Sequence, residues 1–371
     1  MDAAANAKVK NTSTYRTSIH LSMAFALPSV FRCCWWSAAL LLFAIAETSQ
    51  AGDWVRPGMN TNQPVWGLRG GLQFAIPPGG FTWGDNGPRG LIRIGYPMLP
   101  QGRYDLINFI AIEPVVGRAR GLSELEKSSL DGRQGKMFWI GPSFPTNREP
   151  AAISSGDISS PAPGVEQLNV SLRVEKFDNG AHVRLVLSQR SDAPDELRLS
   201  VYAEPDSAPM KSCILTATMG NKARARLLWL KDGDISSAKV FGAYTGPDFT
   251  PHAFFPLTRL SRNARGDVLV AITTDEANPA EATGLSRFWQ YQGESVTQYW
   301  RKPAAGIDES LRCAVNARFK YWMSSTPIPG GLAYENFELV ENFKDGQEFI
   351  FGVTRRPPAE LLEQSSPTNR K

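Results

Sequence analysis

The chain has 371 residues, enough for one large domain or two ordinary ones, and for a sizeable core. It carries 40 Lys and Arg against 36 Asp and Glu, with 3 His and 4 Cys. No Lys/Arg run makes the clustered basic face of a nucleic-acid binder, no Cys-x-x-Cys supports a redox dithiol or zinc ribbon, and the two histidines expected to remain once a leader carrying His20 is removed are too few for a three-His zinc centre.

The first predicted element is an export signal. Arg32 precedes an uncharged apolar run from Cys33 to Ala46. A bilayer-spanning helix needs roughly 20 apolar residues; this run is shorter and fits the apolar core of a secretory signal. Ser49 and Ala51 supply the small residues of a cleavage site after Ala51, so 1–51 is expected to be a signal peptide, with Met23 as an alternative initiator that gives it an ordinary length. The processed chain is then expected to be secreted or periplasmic, with no transmembrane segment. It keeps 36 basic and 34 acidic residues, two histidines (His182 and His252) and two cysteines (Cys213 and Cys313).

Strands dominate the rest of the chain. An N-terminal β region, 52–144, offers Leu72 to Ile76, Leu91 to Tyr96, Leu106 to Val116 and Met137 to Ile140. Between its last two strands, Ser123-Glu124-Leu125-Glu126 has capping-box spacing, and Asp131-Gly132 ends the short helix or helical turn it predicts. Residues 145–164, rich in Pro, Ser, Ala and Gly, read as a loop or linker. The main sandwich, 165–355, opens with strict alternation at Leu168, Val170, Leu172 and Val174, the period of a half-buried strand. Asp178-Asn179-Gly180 signals a turn, and strands over 181–187 and 197–202 complete a meander. Further strands are expected at Cys213 to Met219, Arg226 to Leu230, Val240 to Tyr244, Val268 to Thr273, Val296 to Trp300, Cys313 to Trp322, Phe337 to Val340 and Glu348 to Val353. The tail, 356–371, is polar and expected to be flexible. Many short strands punctuated by 32 Gly and 27 Pro predict an all-β fold, a large antiparallel β-sandwich with few short helices.

The strand ending in Glu113 is apolar enough to be buried. A carboxylate at its mouth is expected to have a raised pKa through desolvation, the making of a general acid or base. Glu126 is the candidate second carboxylate, in the manner of glycoside chemistry, and His252, in the loop Thr250-Pro251-His252-Ala253, is the candidate catalytic histidine. The other reading of Glu113 is an ion pair with a neighbouring arginine, with Glu124 and Glu126 as ordinary first-turn acids. Arg118 and Arg120, two apart, are either a small anion site or a solvated strand face. Trp289, Tyr291, Trp300 and Arg301 place aromatic faces beside hydrogen-bonding groups, as sugar sites do, although aromatics also fill β cores. Of Tyr299 and Trp300, one must face away from the core. His182 is expected to be exposed. Cys213 and Cys313 either pair, closing a loop of about 100 residues worth about 4–5 kcal/mol, or are two buried thiols. No metal and no cofactor are expected.

The segments around Phe109 to Glu126, Cys213 to Asn221, and Gln298-Tyr299-Trp300-Arg301 resemble those of uncharacterised exported bacterial β-sandwich proteins. In strand density and length, Trp54 to Val353 is similar to the galactose-mutarotase-like supersandwich, found among sugar epimerases, lyases and glycosidase accessory domains. The resemblance implies a sandwich fold and sugar chemistry. It carries no catalytic residue over, because the Glu and His set of mutarotases has no residue-by-residue match here. Two functions compete: a secreted carbohydrate-binding or carbohydrate-processing protein with a glycan or polysaccharide partner, and a non-catalytic envelope or extracellular interaction module. If the protein is an enzyme, a sugar lyase, epimerase or glycosidase-like activity is expected.

Overall fold

Alternation of apolar and polar side chains builds two antiparallel sheets whose apolar faces meet. The computed structural model describes residues 52–77, 89–141, 153–219, 224–275, 295–321 and 325–363. The expected signal segment 1–51, residues 145–152 of the expected linker, and Trp289 and Tyr291 lie outside the described residues. The described residues belong to one compact unit, Glu47–Lys371.

The ten-stranded sheet runs, edge to edge, Trp54–Val55, Val65–Leu68, Gln73–Ala75, Leu91–Leu99, Arg103–Val116, Ser212–Thr218, Ala333–Val340, Arg312–Arg318 and Ala253–Pro256, with Ala119–Arg120 folded back onto Arg103–Val116. The eleven-stranded sheet runs Gly233–Ser236, Leu227–Leu230, Val268–Thr273, Thr297–Lys302, Gln347–Thr354, Ala193–Ala203, Val183–Arg190, Val165–Val174 and Phe138–Ile140, with Ser261–Arg262 and Asp157–Ala162 attached to it. The result is a large all-β sandwich with, among the described residues, two short α-helices, Ser237–Phe241 and Pro358–Glu363. Strands from the N-terminal region and from the second half of the chain share the ten-stranded sheet: Arg103–Val116 pairs with Ser212–Thr218 from Phe109↔Thr218 to Val115↔Ser212.

The core lies between the sheets. Leu168, Val170, Leu172 and Val174 face Ile110, Ile112, Leu215 and Phe337 within one apolar cluster. Trp300 sits at its centre, with the Phe351, Phe349 and Phe337 rings 5.0, 6.4 and 6.5 Å away. Three polar ties cross between the sheets inside this core. Asn108 Nδ2 donates to Gln298 Oε1 at 2.9 Å, Trp300 Nε1 donates to the Phe337 carbonyl at 2.9 Å, and Gln347 Nε2 donates to the Cys213 carbonyl at 3.0 Å. Each buried polar group needs such a partner. Because a one-residue slip would turn each of these groups to the wrong face, the ties also fix register.

Several expectations are corrected. Residues 240–244 are not a strand: Ser236 caps the helix Ser237–Phe241 by accepting the Lys239 N–H. The segment at 123–126 is a helical turn, the shorter of the two expected outcomes, closed by the Glu126 N–H on the Leu122 carbonyl at 2.9 Å; what differs is Ser123, which commits its hydroxyl to the Ile112 N–H and the Gly90 carbonyl instead of capping its own chain. The loop-like 145–164 contains the edge strand Asp157–Ala162, paired on one side only, where Pro161 is tolerated because no second ladder needs its missing N–H. Within the expected flexible tail, Pro358–Glu363 is helical, started by a proline whose fixed φ suits a first turn. Leu361 from that helix packs on Leu269, Ala271 and Tyr299.

Cys213 and Cys313 are free and buried. Cys213 and Cys313 lie on strands separated by Ala333–Val340. Two strand spacings of about 4.8 Å put their Cα atoms beyond the roughly 7 Å that a disulfide spans.

Candidate functional site: a carboxylate cluster on the outer face of the ten-stranded sheet

The strand Arg103–Val116 alternates strictly near its end. Ile110 and Ile112 enter the core, so Ala111 and Glu113 face the other side of the sheet. The hairpin through Gly117 and Arg118 then folds Ala119–Arg120 back alongside, and Arg120 crosses to Glu113. Ala333–Val340 contributes Glu338, which faces the same way because Phe337 and Leu339 take the core side. The Arg120 guanidinium forms ion pairs with both Glu113 and Glu338, the latter at 3.2 Å, and donates to Thr216 Oγ1 at 3.4 Å. His252, just before the edge strand Ala253–Pro256, brings Nε2 to 3.5 Å from Glu338 Oε1.

Glu113 and Glu338 are almost wholly buried, at 3% and 1% exposure. The Arg120 and His252 side chains keep 32% and 23% of their surface, so they form the solvent side of the cluster. Burial raises the Glu113 carboxyl to about 7 even though Arg120 pulls the other way. Glu338 is also raised by burial, again against Arg120. Glu124 is pushed to about 8 by burial and by the nearby Glu113 charge. His252 is lowered to about 4, first by burial and then by repulsion from Arg120. Burial disfavours the Arg120 charge, but Glu113 and Glu338 outweigh it and raise its pKa. Three carboxyls thus share one guanidinium, with a neutral imidazole beside them. One cation cannot balance two buried carboxylates and the half-buried Glu124 beside them, so protons stay in the cluster near neutral pH. Among the described residues, Glu338 Oε2 and His252 Nε2 are buried atoms with no hydrogen-bond partner.

The loop over 121–136 covers one side of the cluster, and Glu126 belongs to its scaffolding. Its carboxylate accepts the Leu122 N–H at 3.1 Å and the Asp178 N–H at 2.9 Å, and it pairs with Lys136 at 3.0 Å. Lys136 is fully buried and also bonds Asp178 at 2.8 Å. Glu126 is therefore committed to holding the loop, and the carboxylate that meets Glu113 is Glu338. At Gly90, where φ is +72°, a Cβ would collide with the Ser123 carbonyl, so glycine lets this loop close on the sheet. The Asn179 side chain braces the Arg120 hairpin by donating to the Pro114 and Ala119 carbonyls at 2.9 and 3.1 Å.

The other candidate residues fall elsewhere. Arg118 is exposed in the hairpin turn and takes no part in the cluster. Trp300 is a core residue at 1% exposure. Arg301 lies on the outer face of the other sheet, paired with Glu196 and, at 2.9 Å, with Asp267. Tyr299 is the member of its pair that leaves the core, and its hydroxyl donates to Glu196 at 3.0 Å. Glycine at 352 leaves room for its ring, which a Cβ would strike. A cavity of about 450 Å³ lies beside these groups, lined by Arg190, Asp195, Glu196, Arg265 and Arg356 among others. His182 is half-buried, not exposed, with Nδ1 2.5 Å from Asp206 Oδ1.

The ion pair expected between Glu113 and a neighbouring arginine is the one Arg120 makes; sequence reasoning missed Glu338, Thr216 and the extension of that pair to Glu338. The signal for Glu338 was a charged residue inside the apolar stretch Phe337-Glu338-Leu339-Val340. Among the described residues no group of His, Cys, Asp and Glu is arranged to hold a metal ion, and no helix is long and apolar enough to cross a membrane. No family model, no curated protein and no solved structure matches the chain.

Proposed function

We propose that this protein is an exported carbohydrate-processing β-sandwich whose acid–base site is the Glu113, Glu338, Arg120 and His252 cluster. The observation that carries the reading is the Glu338 carboxylate. It is buried, bridged to a proton-holding Glu113 through Arg120, and has one oxygen free of any partner among the described residues. A buried free acceptor beside a protonated acid is a pair able to take one proton and give another, as a general base and acid must. In this reading Glu338 takes a proton either from a sugar C–H, whose electron pair becomes a C=C bond as the glycosidic C–O bond breaks, or from a water that adds to the anomeric carbon as that bond breaks; Glu113 protonates the departing oxygen, and Arg120 balances the charge of the two carboxyls. His252, neutral at physiological pH, is left to hydrogen-bond a hydroxyl. The hydroxyl-rich ring of a sugar suits a site built of carboxyl, imidazole and hydroxyl groups, and the apolar run ahead of Ala51 supports export.

The test is turnover of polysaccharides by the purified chain, read as new reducing ends and, separately, as ultraviolet absorbance of an unsaturated product. Hydrolysis gives the first signal alone, and elimination gives both. Glu338→Gln should lower kcat by about 100-fold or more while Tm, measured alongside, falls little. Turnover that survives in a folded Glu338→Gln protein would refute the assignment.

A further inference from the structure

One row of side chains crosses the outer face of the ten-stranded sheet from its free edge to the carboxylates. Phe254, on the edge strand Ala253–Pro256, is the register partner of Ala314, and Ala314 is the partner of Glu338. The next strand pairs Ala217 with Phe337 and Thr218 with Asn336, so one step along that register brings Thr216 beside Glu338. Phe254 is 54% exposed, and what sets it apart is its surroundings rather than its exposure alone. Its neighbours are not apolar. The His252 ring stacks 6.2 Å from it, and the Arg312 guanidinium lies 4.9 Å from its centroid. Arg312 occupies the same face, two residues before Ala314, is exposed, and has no carboxylate partner among the described residues.

This arrangement reads as a ligand surface better than as a protein-packing patch. A single ring flanked by an unpaired guanidinium is a poor seat for an apolar partner. It suits a molecule with a flat C–H face and a negative charge one residue-width away. A guanidinium stacked on an aromatic ring keeps its N–H edge free for a bidentate anion contact. At the inner end of the row, the unpartnered Glu338 Oε2 and His252 Nε2 supply an acceptor and a ring nitrogen for hydroxyl groups. The neighbouring carboxyls do not forbid an anion, because burial keeps protons on Glu113 and Glu124 near neutral pH.

We propose that Phe254 and Arg312 form a binding subsite for an acidic sugar residue, with the ring on Phe254, the carboxylate or sulfate on Arg312, and the hydroxyls toward Glu338 and His252. The proposal rests on the carbohydrate reading above and deepens it to a substrate class.

The experiment is equilibrium binding by calorimetry to the Glu338→Gln protein, so that turnover does not interfere. The probes are oligogalacturonate as a carboxylated chain, sulfated dextran oligomers, and neutral dextran oligomers. Both acidic probes should bind at least ten-fold tighter than the neutral one at low salt. The tighter of the two acidic probes names the anion. Arg312→Gln should erase the acidic preference, and Phe254→Ala should weaken acidic binding by ten-fold or more, with Tm unchanged for both because the two side chains are exposed. Equal binding of acidic and neutral probes, no binding, or an acidic preference that survives Arg312→Gln would overturn the subsite. The two readings fail separately. Acidic binding that depends on Phe254 and Arg312 without any turnover by the unsubstituted protein removes the catalytic reading alone. Turnover indifferent to both residues removes the subsite alone.

Discussion

Replacing Arg120 with Gln should destabilise the protein in a way that depends steeply on pH. Arg120 is the cation shared by Glu113 and Glu338, and those two carboxylates are nearly inaccessible to water. Breaking a buried ion pair by removing one partner costs about 3–5 kcal/mol when the other partner stays charged. Here the arginine side chain is about one-third exposed, so water screens part of its interaction, and about 2–3 kcal/mol at pH 8 is the better expectation.

The sign with pH is set by proton binding. Glu113 sits at about 7 in the fold against 4.5 as its ordinary value, so the folded state binds more protons than the unfolded chain between those pH values. Stability therefore falls as pH rises through that window, by on the order of 3 kcal/mol for this group. Without Arg120 the carboxyls hold their protons to still higher pH, and the fall continues further. Below about pH 5 Glu113 is neutral with or without the arginine, Glu338 is shifted in the same direction by its burial, and the substitution then costs about 1 kcal/mol in lost hydrogen bonds. Urea unfolding of both proteins at pH 4.5 and pH 8 gives the four free energies needed. A destabilisation of the same size at both pH values would refute the reasoning, since it would mean that the carboxylates do not depend on Arg120 for their charge.

Two further outcomes test the interior. Lys302 and Glu341 form an ion pair inside the sandwich at 2% and 1% side-chain exposure, with the lysine ammonium 4.4 Å from the Phe349 ring centroid. Lys302→Met should cost about 3–5 kcal/mol by urea unfolding, and adding Glu341→Leu should recover most of it, because the desolvated charge left behind is then gone; no recovery would contradict this. Because Cys213 and Cys313 stand two strands apart, denatured protein kept from reductant should titrate with a thiol reagent to the same count as reduced protein, and a lower count would reveal a bridge.

The meander was legible because its strands are half-buried and alternate cleanly. Leu168 to Val174 and Val183 to Leu187 show the core face as every second residue, and Val165–Val174, Val183–Arg190 and Ala193–Ala203 keep to that pattern. The very short strands Val65–Leu68 and Ala253–Pro256 left no such trace, since two inward positions make no period. Ser237–Phe241 was hidden for the same reason: five residues show no helical repeat, and only its Ser236 cap marks it. At the candidate site, Glu113 was readable from one strand because its burial is a local property. Its partner was not. Glu126 lies 13 positions away in the chain, yet its carboxylate turns to Lys136 and two backbone N–H groups. Glu338, 225 positions away, reaches the site because Ser212–Thr218 lies between its strand and that of Glu113. Pairing at that range is set by sheet order, which the sequence of a single strand does not encode. The same holds for Trp300 and Arg301: adjacent in sequence, they serve the core and the opposite outer surface.

The central claim is that a proton-holding carboxyl and a free carboxylate acceptor sit together under Arg120. Carbon-13 NMR titration of the glutamate side-chain carboxyls, with Glu113→Gln and Glu338→Gln for assignment, tests it most directly. The expected result is a Glu113 resonance that titrates near pH 7, well above the ordinary carboxylate range, and that changes its midpoint when Glu338 is replaced. Glu113 and Glu338 resonances that both titrate between about pH 4 and 5, each indifferent to loss of the other, would contradict it.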